Sequence, residues 1–131
     1  LSPELRRRID KTEELNRQIE GFQANLCVNY GGRDEILRGV KSVVRDIKEG
    51  IIGEEDVTEE LFSSKLYTAG IPDPELIIRP SGEERLSNFL LWQCAYSEFW
   101  FSDVMWPDFT RSELDKALAA YQRRDRRFGG V

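Results

Sequence analysis

Histidine is absent from the 131-residue chain, and methionine and cysteine are scarce. Without histidine, the chain alone cannot form a Ser-His-Asp triad, a Cys-His pair or a His-ligated zinc site. No apolar run is long enough to span a bilayer, and the pattern of the first residues is not the one expected of a signal peptide. Methionine occurs once, as Met105, and the chain starts with Leu1. We therefore expect this sequence to be part of a longer protein.

Cysteine usage and charge narrow the class of protein further. Cys27 and Cys94 both lie in apolar surroundings without CxxC spacing, which favours buried, reduced thiols of a cytosolic protein over a disulfide. The net charge of −5 argues against a general attraction to nucleic acid. With 40% apolar and 33% charged residues, the composition predicts one soluble domain with a core.

Capping signals and apolar periodicity predict five helices. Ser2 and Thr58 are typical N-cap residues, and Thr110 with Glu113 has the spacing of a capping box. Over 33–48, apolar residues recur at every third or fourth position, which predicts an amphipathic helix. Its expected core face comprises Ile36, Leu37, Val40, Val43, Val44 and Ile47. The predicted helices are 3–18, 33–48, 59–67, 88–97 and a last one that follows Thr110 and ends at Gly129-Gly130.

Three segments are predicted strands, and they alternate with the helices. They cover residues 24–32, 75–79 and about 98–102, where aromatic residues crowd the last segment. This order predicts an α/β fold, a parallel sheet flanked by helices. A parallel sheet of about three strands is thin and leaves its edges exposed, so either a partner covers an edge or strands are missing.

A polar segment follows the second predicted strand and carries Arg79, Glu83, Glu84, Arg85 and Ser87. Ligands of open parallel sheets bind outside the carboxyl ends of the strands. Two guanidinium groups, a hydroxyl and the free amides of a helix N-terminus would suit phosphate oxygens. An arginine–glutamate network that only fixes the loop would explain the same spacing. The residues alone leave both interpretations open.

Three further features also have alternative interpretations. Glu98 and Asp103 flank the third predicted strand, and Glu98 either binds magnesium together with substrate phosphates or pairs with an arginine. The Gly-Gly turn of "NYGGR" (29–33) favours a plain start of a helix over phosphate contact. The basic run "RRDRRFGG" (123–130) is typical of a solvated helix end, with phosphate contact as the second interpretation.

The stretch "LIIRPSGEERLSNFLLWQCAYSEFWFSDVMWPDF" (76–109) closely resembles the C-terminal catalytic region of the cis-prenyltransferases, especially their bacterial undecaprenyl diphosphate synthase branch. "NYGGR" and "RRFGG" (126–130) also resemble motifs of that family. The resemblance implies a homodimeric α/β enzyme that adds isopentenyl diphosphate to an allylic, farnesyl-type diphosphate with Mg²⁺. The product would be a cis-polyprenyl diphosphate such as undecaprenyl diphosphate, a lipid carrier for the cell wall. The implied location is cytoplasmic, with peripheral membrane contact through the lipid product.

The resemblance also assigns roles by motif position. Arg79, Arg85 and Ser87, together called the anion cradle here, would grip the diphosphate of isopentenyl diphosphate. Arg127 and Gly129 match the family's terminal Arg-x-Gly motif, which crosses towards the partner subunit's site. Glu98 would help to hold Mg²⁺ across the dimer interface. The supporting residues would be Glu83, Asn29 and Asp108.

One family motif is missing from this chain. The His-x-Met-Asp-Gly-Asn-x-Arg motif, which serves the allylic diphosphate, does not occur. We therefore expect residues 1–131 to be the C-terminal part of a single cis-prenyltransferase domain without its N-terminal half, and to be inactive alone. The alternatives are a non-catalytic accessory subunit of a two-chain enzyme and a generic phosphate-binding α/β domain.

Overall fold

The computed structural model describes residues 1–124, which form four α-helices and two short strands. Two single-turn 3₁₀ helices, Glu54–Asp56 and Trp106–Asp108, lie between these elements. The elements in chain order are α1 (Pro3–Asn16), α2 (Gly32–Lys48), α3 (Glu59–Ser63), β1 (Leu76–Arg79), β2 (Glu98–Phe101) and α4 (Arg111–Gln122). No helix among the described residues is long and apolar enough to cross a membrane.

The predicted N-caps of the first and third helices are confirmed. The Ser2 hydroxyl accepts a hydrogen bond from the Leu5 amide, and the Thr58 hydroxyl accepts one from the Leu61 amide. Thr110 is the N-cap of α4, but its side chain makes no capping bond, so the predicted capping box is wrong. Glu113 pairs instead with Lys116 one turn further along the same helix.

The two strands pair in parallel, as the alternation of strands and helices predicts. Leu76 lies opposite Glu98 and Arg79 lies opposite Phe101, so the two carboxyl ends meet at the same edge. Helix α2 packs against α3, and α4 packs against β2. The predicted α/β class is confirmed, with a sheet of two strands in the described residues.

The predicted strand at 24–32 is wrong for this chain. No strand is formed between α1 and α2, and the apolar residues there lie in solvent, with Phe22 97% and Leu26 89% exposed. A strand needs a neighbour to receive its amide and carbonyl groups. The only two strands in the described part of the chain pair with each other, which leaves this segment unpaired.

The predicted helix at 88–97 is also wrong. The segment is a series of turns, because Ser87, Asn88 and Leu90 all have positive φ angles, of 49°, 65° and 44°. Right-handed helices exclude such angles. One helical bond survives, from the Cys94 amide to the Leu90 carbonyl.

Helix α2 exists as predicted, but its expected core face is mostly exposed. Of the apolar residues assigned to that face only Val43 is buried, whereas Leu37 and Val40 face solvent. The helix instead buries the neighbouring face, which comprises Gly32, Glu35, Gly39 and Val43. Periodicity locates an apolar stripe, but residues 1–124 leave most of it uncovered.

The core of the described residues is small, and the prediction for the two cysteines holds only in part. The buried apolar residues are Val43, Leu66, Cys94 and Ala117. Both cysteines are free, as expected, but only Cys94 is buried, whereas Cys27 lies in the exposed segment before α2. Burial raises the pKa of the Cys94 thiol, since the charged thiolate is poorly solvated there.

Candidate functional site

Arg79 ends β1 at the carboxyl edge of the sheet, where the sequence placed it. Its carbonyl accepts a hydrogen bond from the Ser102 amide, 3.0 Å away, just after β2. The Ser81 and Gly82 amides donate to the carbonyls of Val104 and Ser102, both at 2.9 Å. The start of the polar loop is therefore fixed to the end of the neighbouring strand.

The anion cradle gathers loosely around this edge. Nη2 of Arg79 donates to Oγ of Ser87 at 3.3 Å, which is a long hydrogen bond. Nε of Arg79 is buried and has no acceptor among the described residues. Arg85 is more exposed and pairs with the Glu83 carboxylate. A buried donor without a protein partner is typical of a group whose acceptor is a ligand or water.

The loop also contains an arginine–glutamate network, which was the alternative interpretation of its sequence. This network is the ion pair between Arg85 and Glu83. Within residues 1–124, Arg79 and Ser87 bond to each other and not to a carboxylate, so the network and the anion site involve different members of the loop. The two interpretations are compatible in one structure.

An apolar groove of about 440 Å³ opens beside the cradle. Arg79 and Arg85 lie on its wall. The other walls are apolar or proline and comprise Pro74, Leu76, Ile77, Ile78, Pro80, Leu86, Phe89, Leu90, Phe99 and Phe101. A groove with two guanidinium groups and hydrocarbon walls suits an amphiphile with an anionic head and an apolar body.

Glu98 lies away from the cradle, at the amino end of the second strand. It begins β2 and lies opposite Leu76, three residues before the register position of Arg79, or roughly 10 Å along the strands. Its carboxylate pairs with Arg124. No group of three or more acidic or cysteine side chains able to hold a metal forms within residues 1–124.

Neither Asn29 nor Asp108 makes a hydrogen bond to the cradle in the described part of the chain. Asn29 is exposed in the segment before α2, with a φ of 55°. Asp108 is exposed in the second 3₁₀ helix. Arg127 and Gly129 lie outside the described residues, so their predicted roles stay predictions.

A buried carboxylate that the sequence reasoning missed connects α2 to the loop behind the cradle. Glu35 is 1% exposed and accepts hydrogen bonds from the Tyr30 hydroxyl, the Tyr67 amide (2.7 Å) and Nε2 of Gln93 (3.2 Å). Burial, and then the nearby Glu35, raise the pKa of the Tyr30 hydroxyl. Only its place in the first turn after "GGR" distinguished Glu35 in the sequence, and that place is common for surface glutamates.

A second missed residue is Asn88, directly after Ser87. Its carbonyl accepts from the Gly32 amide at 2.7 Å, and its Oδ1 accepts from the Arg33 amide at 2.9 Å. These bonds occupy two of the free amides at the N-terminus of α2. Those amides are therefore engaged by the protein itself, which agrees with the interpretation of the Gly-Gly turn as the start of a helix.

Comparison with known proteins identifies the family. Residues 1–129 match the family model described as "Putative undecaprenyl diphosphate synthase". The isoprenyl transferase of Clostridium perfringens is 59% identical over 118 residues, which are 90% of this chain and 47% of that protein. The isoprenyl transferase of Geobacillus kaustophilus is 53% identical over 126 residues, or 96% of this chain and 49% of that protein. The chain thus spans about half the length of these relatives.

Two solved structures of related enzymes superpose on this chain and therefore share its fold. Lavandulyl diphosphate synthase from Lavandula x intermedia, solved in complex with dimethylallyl diphosphate, superposes with a TM-score of 0.95 at 38% identity over 99% of this chain and 56% of its own. A probable undecaprenyl diphosphate synthase from Campylobacter jejuni gives 0.84 at 33% identity, over 99% of this chain and 58% of its own. The chain therefore belongs to the undecaprenyl diphosphate synthase family, the cis-prenyltransferases.

Proposed function

We propose that this chain is the C-terminal portion of an isoprenyl transferase that condenses isopentenyl diphosphate with an allylic diphosphate to a cis-polyprenyl diphosphate. The observation that carries the proposal is the convergence of Arg79 and Ser87 at the carboxyl edge of the sheet, with Nε of Arg79 unpaired. The adjoining apolar groove adds a surface for hydrocarbon. Arg79, Ser87 and Arg85 then bind the diphosphate of isopentenyl diphosphate.

The proposed reaction explains why arginine suits this position. The alkene of isopentenyl diphosphate attacks the allylic carbon, the allylic diphosphate leaves with the bonding electron pair, and loss of a proton forms the new double bond. The diphosphate of isopentenyl diphosphate is kept throughout, so the cradle only has to hold and orient it. The guanidinium charge persists at every working pH and does not act as an acid. Glu83 orients Arg85 through their ion pair.

Mg²⁺ is a proposed cofactor, with Glu98 as its ligand from this chain. A carboxylate oxygen is the type of donor that Mg²⁺ prefers, and the ion commonly takes one or two carboxylates together with substrate phosphates. When bound, the ion would neutralise charge on the departing diphosphate. The position of Glu98, about 10 Å along the strands from the cradle residue Arg79, suits a contribution to a different site, as in a homodimer.

The proposal also covers the product, the location of the protein and the missing half of the fold. The product is an amphiphilic polyprenyl diphosphate, such as the undecaprenyl diphosphate used as a cell-wall lipid carrier. We infer a cytoplasmic protein that meets the membrane only peripherally, through this product. The half of the fold that the relatives add would supply the remaining strands, the site of the farnesyl-type allylic diphosphate and the room for the growing chain.

The test uses a completed chain, in which the N-terminal half of the Clostridium perfringens relative precedes residues 1–131 in one polypeptide. We expect it to incorporate radiolabelled isopentenyl diphosphate into a butanol-extractable product, dependent on added Mg²⁺, whereas residues 1–131 alone do not. In the completed chain, Arg79→Gln should raise the KM for isopentenyl diphosphate about ten- to a hundredfold, the value of one charge-assisted hydrogen bond.

A matched control separates binding from general charge. Arg111 on α4 is 93% exposed and lies 3.9 Å from its nearest acidic partner, so Arg111→Gln removes the same charge away from the cradle. This variant should leave the KM unchanged. A completed chain without elongation activity, or one that tolerates Arg79→Gln, would contradict the proposal. Activity that returns only when a separate partner chain supplies its own cradle would favour the accessory-subunit alternative.

A further inference from the structure

The loop that carries Ser87 is held in an unfavourable backbone conformation. Ser87 and Asn88 have consecutive positive φ angles of 49° and 65°, and Leu90 follows with 44°. Each such residue costs on the order of 1–3 kcal/mol and persists only where its surroundings enforce it. The 3.3 Å contact between Arg79 and Ser87 is too long to enforce this conformation alone. Another group must hold Ser87 in place.

Asn88 connects this loop to the start of α2 through two short hydrogen bonds. Its carbonyl and its Oδ1 accept from two successive amides at the start of α2, those of Gly32 and Arg33, at 2.7 and 2.9 Å. Asparagine is also one of the few residues that adopt positive φ readily. One residue thus satisfies two helix-end donors and tolerates the strained angle beside Ser87.

The two glycines of "NYGGR" allow this contact by their lack of side chains. A Cβ on Gly31 would lie 2.9 Å from Nδ2 of Asn88. A Cβ on Gly32 would lie 3.0 Å from the Asn88 carbonyl oxygen and 3.0 Å from Cγ of Leu91. Gly32 has no positive φ, so the requirement for glycine here is close approach and not backbone freedom.

We propose that Asn88, seated on Gly31 and Gly32, is a positioning residue that fixes the Ser87 hydroxyl opposite Arg79 for the diphosphate of isopentenyl diphosphate. This inference rests on the proposed function of the cradle. Asn88 itself does not touch the substrate in this scheme; it acts through the backbone of its neighbour. Its effect is therefore specific to isopentenyl diphosphate and does not extend to the allylic substrate.

Two variants of the completed chain test the contact between Asn88 and the start of α2, one by changing Asn88 and one by changing Gly32. Asn88→Gly keeps the positive φ and the backbone acceptor but removes Oδ1. Gly32→Ala keeps Asn88 and inserts a methyl group against its carbonyl. Because displacement of a binding group by even 1 Å can cost up to about a hundredfold, we expect each variant to raise the KM for isopentenyl diphosphate about tenfold. The KM for the allylic diphosphate should stay within about twofold of the wild-type value, since the proposed function assigns the allylic site to the half of the fold that the relatives add.

Gly39→Ala is the matched control within the same helix. Gly39 is also buried in α2, and its added Cβ would lie 3.0 Å from the Phe62 ring, far along the helix from the loop. This variant reports the effect of crowding α2 without touching Asn88. Its KM values for both substrates should match the wild type. The double variant Asn88→Gly/Gly32→Ala should cost less than the product of the single effects, because both changes break one contact.

The outcomes separate this inference from the function on which it rests. A selective rise in the KM for isopentenyl diphosphate in both variants supports the positioning role. An equal rise for both substrates, an unchanged KM in either folded variant, or loss of folding in both while Gly39→Ala folds would overturn it. If Arg79→Gln raises the KM and the two variants do not, only the positioning role fails. If the wild-type completed chain has no turnover, the proposed function fails and the inference fails with it.

Discussion

Replacement of Glu35 by alanine should destabilise the fold more than any surface substitution, because Glu35 holds three separate segments together. Its carboxylate accepts hydrogen bonds from the Tyr30 hydroxyl, the Tyr67 backbone amide and the Gln93 side-chain amide, and the residue is 1% exposed. Hydrogen bonds to a charged acceptor contribute about 1.5–3 kcal/mol each to stability. The cost of removing the carboxylate from water offsets part of this gain. We expect the free energy of unfolding of Glu35→Ala to fall by about 3–5 kcal/mol, because three hydrogen bonds to one carboxylate are lost and their donors are left without that acceptor.

Urea unfolding of the 131-residue chain, followed by tryptophan fluorescence, measures this loss directly. Asp34→Ala is the matched control, because Asp34 precedes Glu35 in α2 but is exposed. It should cost less than about 1 kcal/mol, the value of a carboxylate near a helix N-terminus. Glu35→Gln should cost only about 1 kcal/mol, since a flip of the Gln93 carboxamide would turn its Oε1, which is buried without a donor in the described residues, towards the new amide. A Glu35→Ala variant as stable as the Asp34→Ala control would refute the reasoning.

Two further predictions concern groups in contact with the same helix. The folded state raises the pKa of Tyr30 above its ordinary value of about 10, so the neutral hydroxyl stabilises the fold fully below that pH, and this contribution is lost as the pH rises above about 10. Urea unfolding from pH 8 to 11 should therefore show a steeper loss of stability in the wild type than in Tyr30→Phe; parallel curves would contradict the shift. Gly39→Leu should lower the unfolding free energy by about 1–3 kcal/mol through overpacking, because even a Cβ there would lie 3.0 Å from Phe62 and 3.2 Å from Leu66. Lys41→Leu, on an exposed part of the same helix, is the control; if both leucine variants melt at one temperature, the close packing at Gly39 is refuted.

Local signals were reliable where they depended on a few adjacent residues. The N-caps at Ser2 and Thr58 and the strands predicted at 75–79 and about 98–102 all lie where the sequence placed them, to within a residue. Caps and short apolar strands are determined by the chemistry of neighbouring residues in the chain. The position of Arg79 at the carboxyl edge followed from the same kind of evidence.

The predictions failed where the outcome depended on distant parts of the chain. The strand at 24–32 has suitable residues, but no described strand is available to pair with it. The apolar stripe of α2 was correctly identified, but which face is buried depends on what packs there, and α2 buries Glu35 and two glycines. The failed helix at 88–97 had an acceptable apolar pattern. Contacts with α2 hold Asn88 in a conformation that local propensity does not favour.

The sequence by itself determined the family and the parallel α/β class, and it predicted the cradle residues. Motif residues and alternating elements are properties of order along the chain, which need no tertiary contact to be recognised. Only the tertiary structure decided which residues face each other, with Glu98 opposite Leu76 and Arg79 opposite Phe101, since register is a relation between two strands. It also decided that Glu35 is buried and that Asn88 packs against Gly31 and Gly32 at the start of α2. Both contacts join residues more than fifty positions apart, and a hydrogen bond over that separation exists only after the chain has folded.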